Sequence, residues 1–114
     1  MLPPDDLVRL RHMLDAARKA RQFVQDRTRA DLDSDEMFAL ALVRLLEIIG
    51  EAARRVSVGP RESHPEIPWA EIAGTRDRLI HGYFDVDLDI VWGIVTQDLP
   101  ALLAQLEAIL MIES

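Results

Sequence analysis

The segment from Ser34 to Val56 constrains the fold more than any other part of this sequence. Phe38, Ala41, Leu42, Leu45, Ile48, Ile49, Ala52 and Val56 recur at helical spacing, yet together they cover more than one face of a helix. A surface helix shows a single apolar stripe, so this one is expected to be central, or to bury its second face against another copy of the chain. Ser34, followed by Asp35 and Glu36, reads as its N-cap.

The remaining elements are read around that helix. Leu7, Leu10, Leu14, Ala17 and Val24 give a first helix over about residues 4 to 27, entered through Pro3, Pro4 and the acidic pair Asp5 and Asp6. Between Ser57 and Pro68, the residues Gly59, Pro60, Pro65 and Pro68 exclude a continuous helix and mark the one substantial loop. A shorter helix is expected from about Trp69 to His81, stopping near Gly82. Asp87 then caps a last helix reaching about Ile112, with a stripe of Val91, Val95, Leu99, Leu102, Leu106 and Ile109 and a kink at Pro100. Gly50 is read as permitting close helix packing. No strand-like alternation competes, so residues 1–114 are expected to form a single all-α domain, an up-down four-helix-type bundle.

With 114 residues and 49% hydrophobic side chains, the chain is long enough to bury roughly two thirds of its unfolded surface. The absence of cysteine excludes disulfides, thiolate metal sites and a cysteine nucleophile, and fits a cytoplasmic location. The opening residues lack a basic-then-apolar secretory pattern. The apolar run Met37 to Val43 is far shorter than the roughly 20 residues that span a bilayer, so no membrane association is expected.

A net charge of −7 argues against a general nucleic-acid coat. The charge is uneven, however: residues 1–30 carry +3 and residues 31–114 carry −10. Twelve of the thirteen cations are arginine, which suits bidentate phosphate contact at a local cluster but also follows from base composition alone.

One such cluster exists. Gly74 to Tyr83 packs Arg76, Asp77, Arg78, His81 and the chain's only tyrosine into ten residues. Arginine neutralises phosphate, and histidine gives and takes protons near neutral pH. Together they suffice for metal-free cleavage of RNA, in which a base removes the ribose 2′-OH proton and that oxygen attacks the adjacent phosphorus. On a straight helix, five residues set Arg76 and His81 about 140° apart, so the helix must end nearby or the long Arg76 stem must reach round. One histidine per chain also leaves the reaction short of an acid, which a two-fold dimer would supply. The same spacing fits a plainer reading, a solvated helix end with His81 as a C-terminal cation.

At these residues the sequence resembles the HepT-like branch of the HEPN superfamily, whose mark is Arg-x4-His, here Arg76 to His81, extended by x-Tyr to Tyr83. The resemblance also takes in Leu46-Glu47-Ile48-Ile49-Gly50-Glu51-Ala52-Ala53, His64-Pro65-Glu66-Ile67-Pro68-Trp69, and Arg78 through Asp87, in that order. It implies a HEPN-like homodimer with Arg76 and His81 of both subunits lining a cleft, acting as a metal-independent endoribonuclease without a cofactor. Such proteins are toxins paired with a small nucleotidyltransferase antitoxin of the MntA type, which transfers AMP to the tyrosine corresponding to Tyr83. The added phosphate would compete with RNA at the arginines. Asp77 departs from the pattern, since asparagine often follows the motif arginine. A carboxylate there could pair with Arg76 or His81 and weaken the phosphate site, or could orient the imidazole; Asp77 and Arg78 are carried as supporting residues.

Other signals are weaker. Asp85-x-Asp87-x-Asp89 imitates a calcium loop, but Ile90 and Thr96 stand where glycine and glutamate are required, so a turn with an N-cap is the better reading. His12 and His64 have no second ligand at metal spacing, and Trp69 and Trp92 suit core or interface anchors. Two other functions compete with the ribonuclease: a non-catalytic module docking on a nucleotidyltransferase and helping it hold nucleotide or RNA, and a purely structural dimerisation bundle.

Overall fold

In the computed structural model, which describes residues 2–81 and 85–113, helix α1 (Pro4–Val24) begins on Pro4, whose missing N–H is harmless in a first turn. Its buried face carries Leu10, Met13, Leu14, Ala17, Ala20 and Val24. The helix stops at Val24, short of residue 27, because Asp26 takes a left-handed conformation with φ 61° that redirects the chain. A six-residue helix, α2 (Arg29–Ser34), follows with the Thr28 N–H donated to the Asp31 carboxylate at 2.7 Å. Because Ser34 still belongs to α2, the cap of the next helix falls on Asp35, which accepts the Phe38 N–H at 3.1 Å.

That helix, α3 (Glu36–Arg55), packs against α1, α2 and the segments that follow, as expected of a central element. Leu42, Leu46, Ile49 and Ala53 are among its buried residues. The expected loop contains a further helix, α4 (Val58–Ser63); Pro60 sits in its first turn, where no backbone donor is lost.

The shorter helix anticipated from Trp69 to His81 is broken into three pieces. Helix α5 (Trp69–Ala73) stops at Gly74, α6 (Thr75–Leu79) restarts the chain, and Ile80 turns extended with φ −115° and ψ 119°. Strand β1 (Ile80–His81) then pairs antiparallel with β2 (Asp85–Val86), setting Ile80 opposite Val86 and His81 opposite Asp85. The described residues are thus all-α apart from this two-residue pair, which hydrophobic periodicity is too coarse to register.

Asp87 caps α7 (Leu88–Gly93), accepting the Asp89 and Ile90 N–H groups at 3.1 Å each. A π-helical turn over Ile94–Asp98 leads into α8 (Leu99–Glu113). Pro100 explains this irregularity. In a π turn its N–H would bond Val95 C=O, but proline has none; the Arg21 guanidinium on α1 donates to that carbonyl instead, at 3.0 Å. The stretch Leu88–Glu113, unlike the Met37–Val43 run, is long and apolar enough to cross a membrane by length and composition. Its Val91, Val95, Leu99, Leu102, Leu106 and Ile109 are all buried in the bundle core.

Candidate active site

Two close approaches position the arginine-histidine segment. At Gly50 on α3, an added Cβ would lie 2.9 Å from the Ile72 carbonyl oxygen of α5, so only glycine lets the two backbones come this near. The Arg54 guanidinium ties the same helices together by donating to Ala73 C=O at 2.9 Å, at the C-terminal end of α5. Thr75, buried at the start of α6, bonds back to Glu71 C=O at 3.5 Å. Held this way, α6 sets Arg76 over the exposed side of α3.

There Arg76 lines a hollow of about 260 Å³, together with Arg44, Glu47, Glu51 and Arg54 of α3. These α3 residues lie outside the local run that drew attention in the sequence. The signal that could have found them is their spacing: 44, 47, 51 and 54 stack on one face of a helix. Glu51 is paired with Arg55 at 3.2 Å, so Glu47 is the carboxylate left facing three guanidinium groups.

His81 is exposed on β1, past the end of α6, so the 140° objection raised by a continuous helix does not apply. Asp85 stands directly across the strand pair from it, and directly opposed residues project from the same face of an antiparallel ladder. Asp77 is exposed, and among the described residues no ion pair joins it to Arg76 or to His81. Arg78 turns away from Arg76. It pairs with Glu71 at 3.2 Å and borders a separate, largely apolar groove of about 280 Å³ between α3, α5 and α8, which contains none of Arg76, Asp77 or His81. That groove is larger, but Glu66, Glu71 and Asp98 at its rim would repel phosphate. Tyr83 lies outside the described residues.

Arg18, Arg27, Arg29, Arg55 and Arg78 are each paired with a carboxylate, whereas Arg76, like Arg9, Arg11, Arg21, Arg44, Arg54 and Arg61, has no such partner among the described residues. The acidic triplet after β1 is occupied structurally: Asp87 caps α7, and Asp89 accepts from Arg29 at 2.8 Å. Among the described residues, no three His, Asp or Glu side chains converge as a metal site. Trp69 is a core anchor, donating its indole N–H to His64 C=O at 2.9 Å.

Comparison with known proteins gives a consistent picture. Residues 13–109 match the family described as "Ribonuclease HepT-like". A Thermococcus cleftensis protein named probable ribonuclease HepT is 38% identical over 98 residues, covering 86% of this chain and 89% of the relative. A Caldanaerobacter subterraneus protein whose name places it among the RNases is 39% identical over 104 residues, 91% of this chain and 93% of the relative. A Methanocaldococcus jannaschii protein, also named as an RNase, is 36% identical over 97 residues, 85% of this chain and 89% of the relative. No solved structure matches the chain.

Proposed function

The chain belongs to the HepT-like ribonuclease family of the HEPN superfamily, and from that premise we propose that it is a metal-independent endoribonuclease in which Arg76 and His81 carry the reaction. The His81 imidazole withdraws the 2′-OH proton of a ribose. The freed oxygen attacks the adjacent phosphorus, the bond to the 5′-oxygen breaks, and that oxygen takes up a proton, leaving a 2′,3′-cyclic phosphate and a 5′-hydroxyl. Arg76 faces the phosphate and offsets the charge that builds on its oxygens. The observation that carries this reading is Arg76 itself, a guanidinium without a carboxylate partner among the described residues, which opens on an arginine-lined hollow and sits on the short helix that runs directly into the strand bearing His81.

The cycle needs an acid as well as a base, and each chain brings one histidine to the motif. A two-fold homodimer supplies the second, and Met37 and Leu40, 83% and 58% exposed on α3, offer it an apolar contact at the end of the helix that carries Arg44. The protein acts as the toxin of a toxin-antitoxin pair in the cytoplasm, silenced by a nucleotidyltransferase of the MntA type. Transfer of AMP to Tyr83 places a phosphate two residues from His81, a backbone reach of at most about 7 Å, where it competes with RNA for the arginines.

Purified protein, shown by intact mass to be unmodified at Tyr83, should cleave total RNA in EDTA to fragments ending in 2′,3′-cyclic phosphate. His81→Ala and Arg76→Ala should each lower the rate by at least about a hundredfold with the helical circular dichroism unchanged. Cleavage undiminished in either variant would sink the assignment, and an inert parent chain would favour the docking module.

A further inference from the structure

The hollow beneath Arg76 does not end at α3. A second hollow of about 190 Å³ shares Arg44 and Glu51 with it and is completed by Arg55 and by Arg9 and His12 of α1. The pair of hollows therefore runs across α3 from the motif to the first helix. Together they gather five arginines against two glutamates, a net +3 with His12 neutral, on a chain whose net charge is −7. This local inversion of sign is what a polyanion requires and what the composition as a whole conceals.

Of the five, Arg55 is paired with Glu51, while Arg9, Arg44, Arg54 and Arg76 have no carboxylate partner among the described residues and are free to meet phosphate. Arg54 spends one N–H on Ala73 C=O, and a guanidinium has four more. Arg44 and Arg54 stand ten residues apart, about 15 Å along α3, so they serve separate phosphates rather than one. Among the described residues no aromatic side chain lines either hollow, so guanidinium groups are what a nucleic acid meets there, and the phosphates of its backbone are the part they hold best.

We propose that the two hollows form one track for the sugar-phosphate backbone of an RNA strand, with Arg44 and Arg54 binding phosphates beside the one held at Arg76 and with Arg9 and His12 extending the grip over α1. The proposal rests on the ribonuclease reading of Arg76 and His81. The track holds RNA irrespective of its sequence, so any choice of cleavage site arises elsewhere in the protein. Glu47 and Glu51 moderate the grip and allow the cleaved ends to leave.

The test is binding of a fluorescent 2′-O-methyl oligouridylate of about twelve nucleotides, which carries the phosphates but not the attacking hydroxyl, measured by anisotropy over a range of salt concentrations. The logarithm of the binding constant should fall linearly with the logarithm of salt, and its slope should shrink by about 0.7 in Arg44→Ala and about 1.4 in the Arg44→Ala, Arg54→Ala double variant. Arg44→Lys should restore the slope, Glu47→Gln should tighten binding, and Arg61→Ala, outside both hollows, should change neither. An unchanged slope in the double variant overturns the track. So does a parent chain that fails to bind at low salt. The cyclic-phosphate assay on the same preparations separates the two ideas: cleavage by the parent chain with an unaltered slope in the double variant sinks only the track, whereas a parent chain that neither binds nor cleaves sinks both.

Discussion

Asp35 shows how one carboxylate can couple two helices. Its side chain accepts the Phe38 N–H that opens α3, and it also receives the Arg27 guanidinium at 3.0 Å, while that guanidinium lies 4.0 Å from the centre of the Phe38 ring. The Phe38 amide first, and Arg27 second, hold the Asp35 carboxyl below its ordinary range. The Thr28 amide and then Arg27 do the same for Asp31. Both carboxyls titrate lower in the folded chain than in the unfolded one, whose aspartates titrate near pH 3.9. Their stabilisation is therefore complete above that pH. It is lost as acidity moves down toward the folded values, because the unfolded chain takes up protons first. The melting temperature should be flat from neutral pH to about pH 5 and fall below about pH 4. Asp35→Asn keeps a side-chain cap but cannot ionise, so its acid limb should be shallower. Circular dichroism melts over a pH series check this, and parallel limbs in parent and variant would show that Asp35 does not contribute.

At the scale of elements, legibility followed length. Helices α1 and α3 and the α7–α8 stretch repeat their apolar positions over enough turns for a 3.6-residue period to stand out, and most positions the spacing selects are buried, with Leu7, Ala41 and Ile48 half-buried. The α5–α6–β1 segment is different. Five-residue helices carry barely one period, and the change to extended backbone at Ile80 is fixed by pairing with Asp85 and Val86, partners that no local pattern reveals. The candidate site divided the same way: Arg76 and His81 sit in one short run, but Arg44 and Arg54 join it only because α3 packs against α5 and α6. Gly50 makes that packing possible, and its substitution sets two magnitudes against each other. Alanine in a helix interior gains about 1 kcal/mol over glycine by propensity. Forcing a Cβ to within 2.9 Å of the Ile72 carbonyl oxygen is overpacking against backbone that cannot swing aside, a cost of about 1 to 3 kcal/mol. The clash should win. Gly50→Ala is expected to lower stability to urea by up to about 2 kcal/mol net. It should also slow RNA cleavage by displacing α6, and a stabilised variant would mean that the helices are not held this close in solution.

For the whole molecule, the distribution of charge and exposed apolar surface decides how copies can meet. A chain of net −7 repels its own kind at long range, so self-association must come from short-range apolar contact or from faces where the charge is reversed. Met37 and Leu40 offer such a contact at the start of α3, while the arginines follow further along the same helix. Met37 and Leu40 continue the face of α3 that carries Arg44, so a dimer joined there would bring the arginine hollows beside the seam and two histidines into one assembly, which the acid-base chemistry needs. Met111 and Ile112, 76% and 81% exposed at the end of α8, form a second apolar pair far from Arg76 in the sequence and outside both arginine-lined hollows, and they serve as a control. Light scattering should give twice the 12.9 kDa chain mass for the parent protein. Met37→Glu with Leu40→Glu should bring the mass down to a single chain and abolish cleavage together, because a lone chain has a base without its acid. Met111→Glu with Ile112→Glu should leave both unchanged. A single-chain mass that retains full cleavage would mean that one histidine performs both proton transfers in turn, and a dimer surviving the α3 substitutions would move the contact to another face.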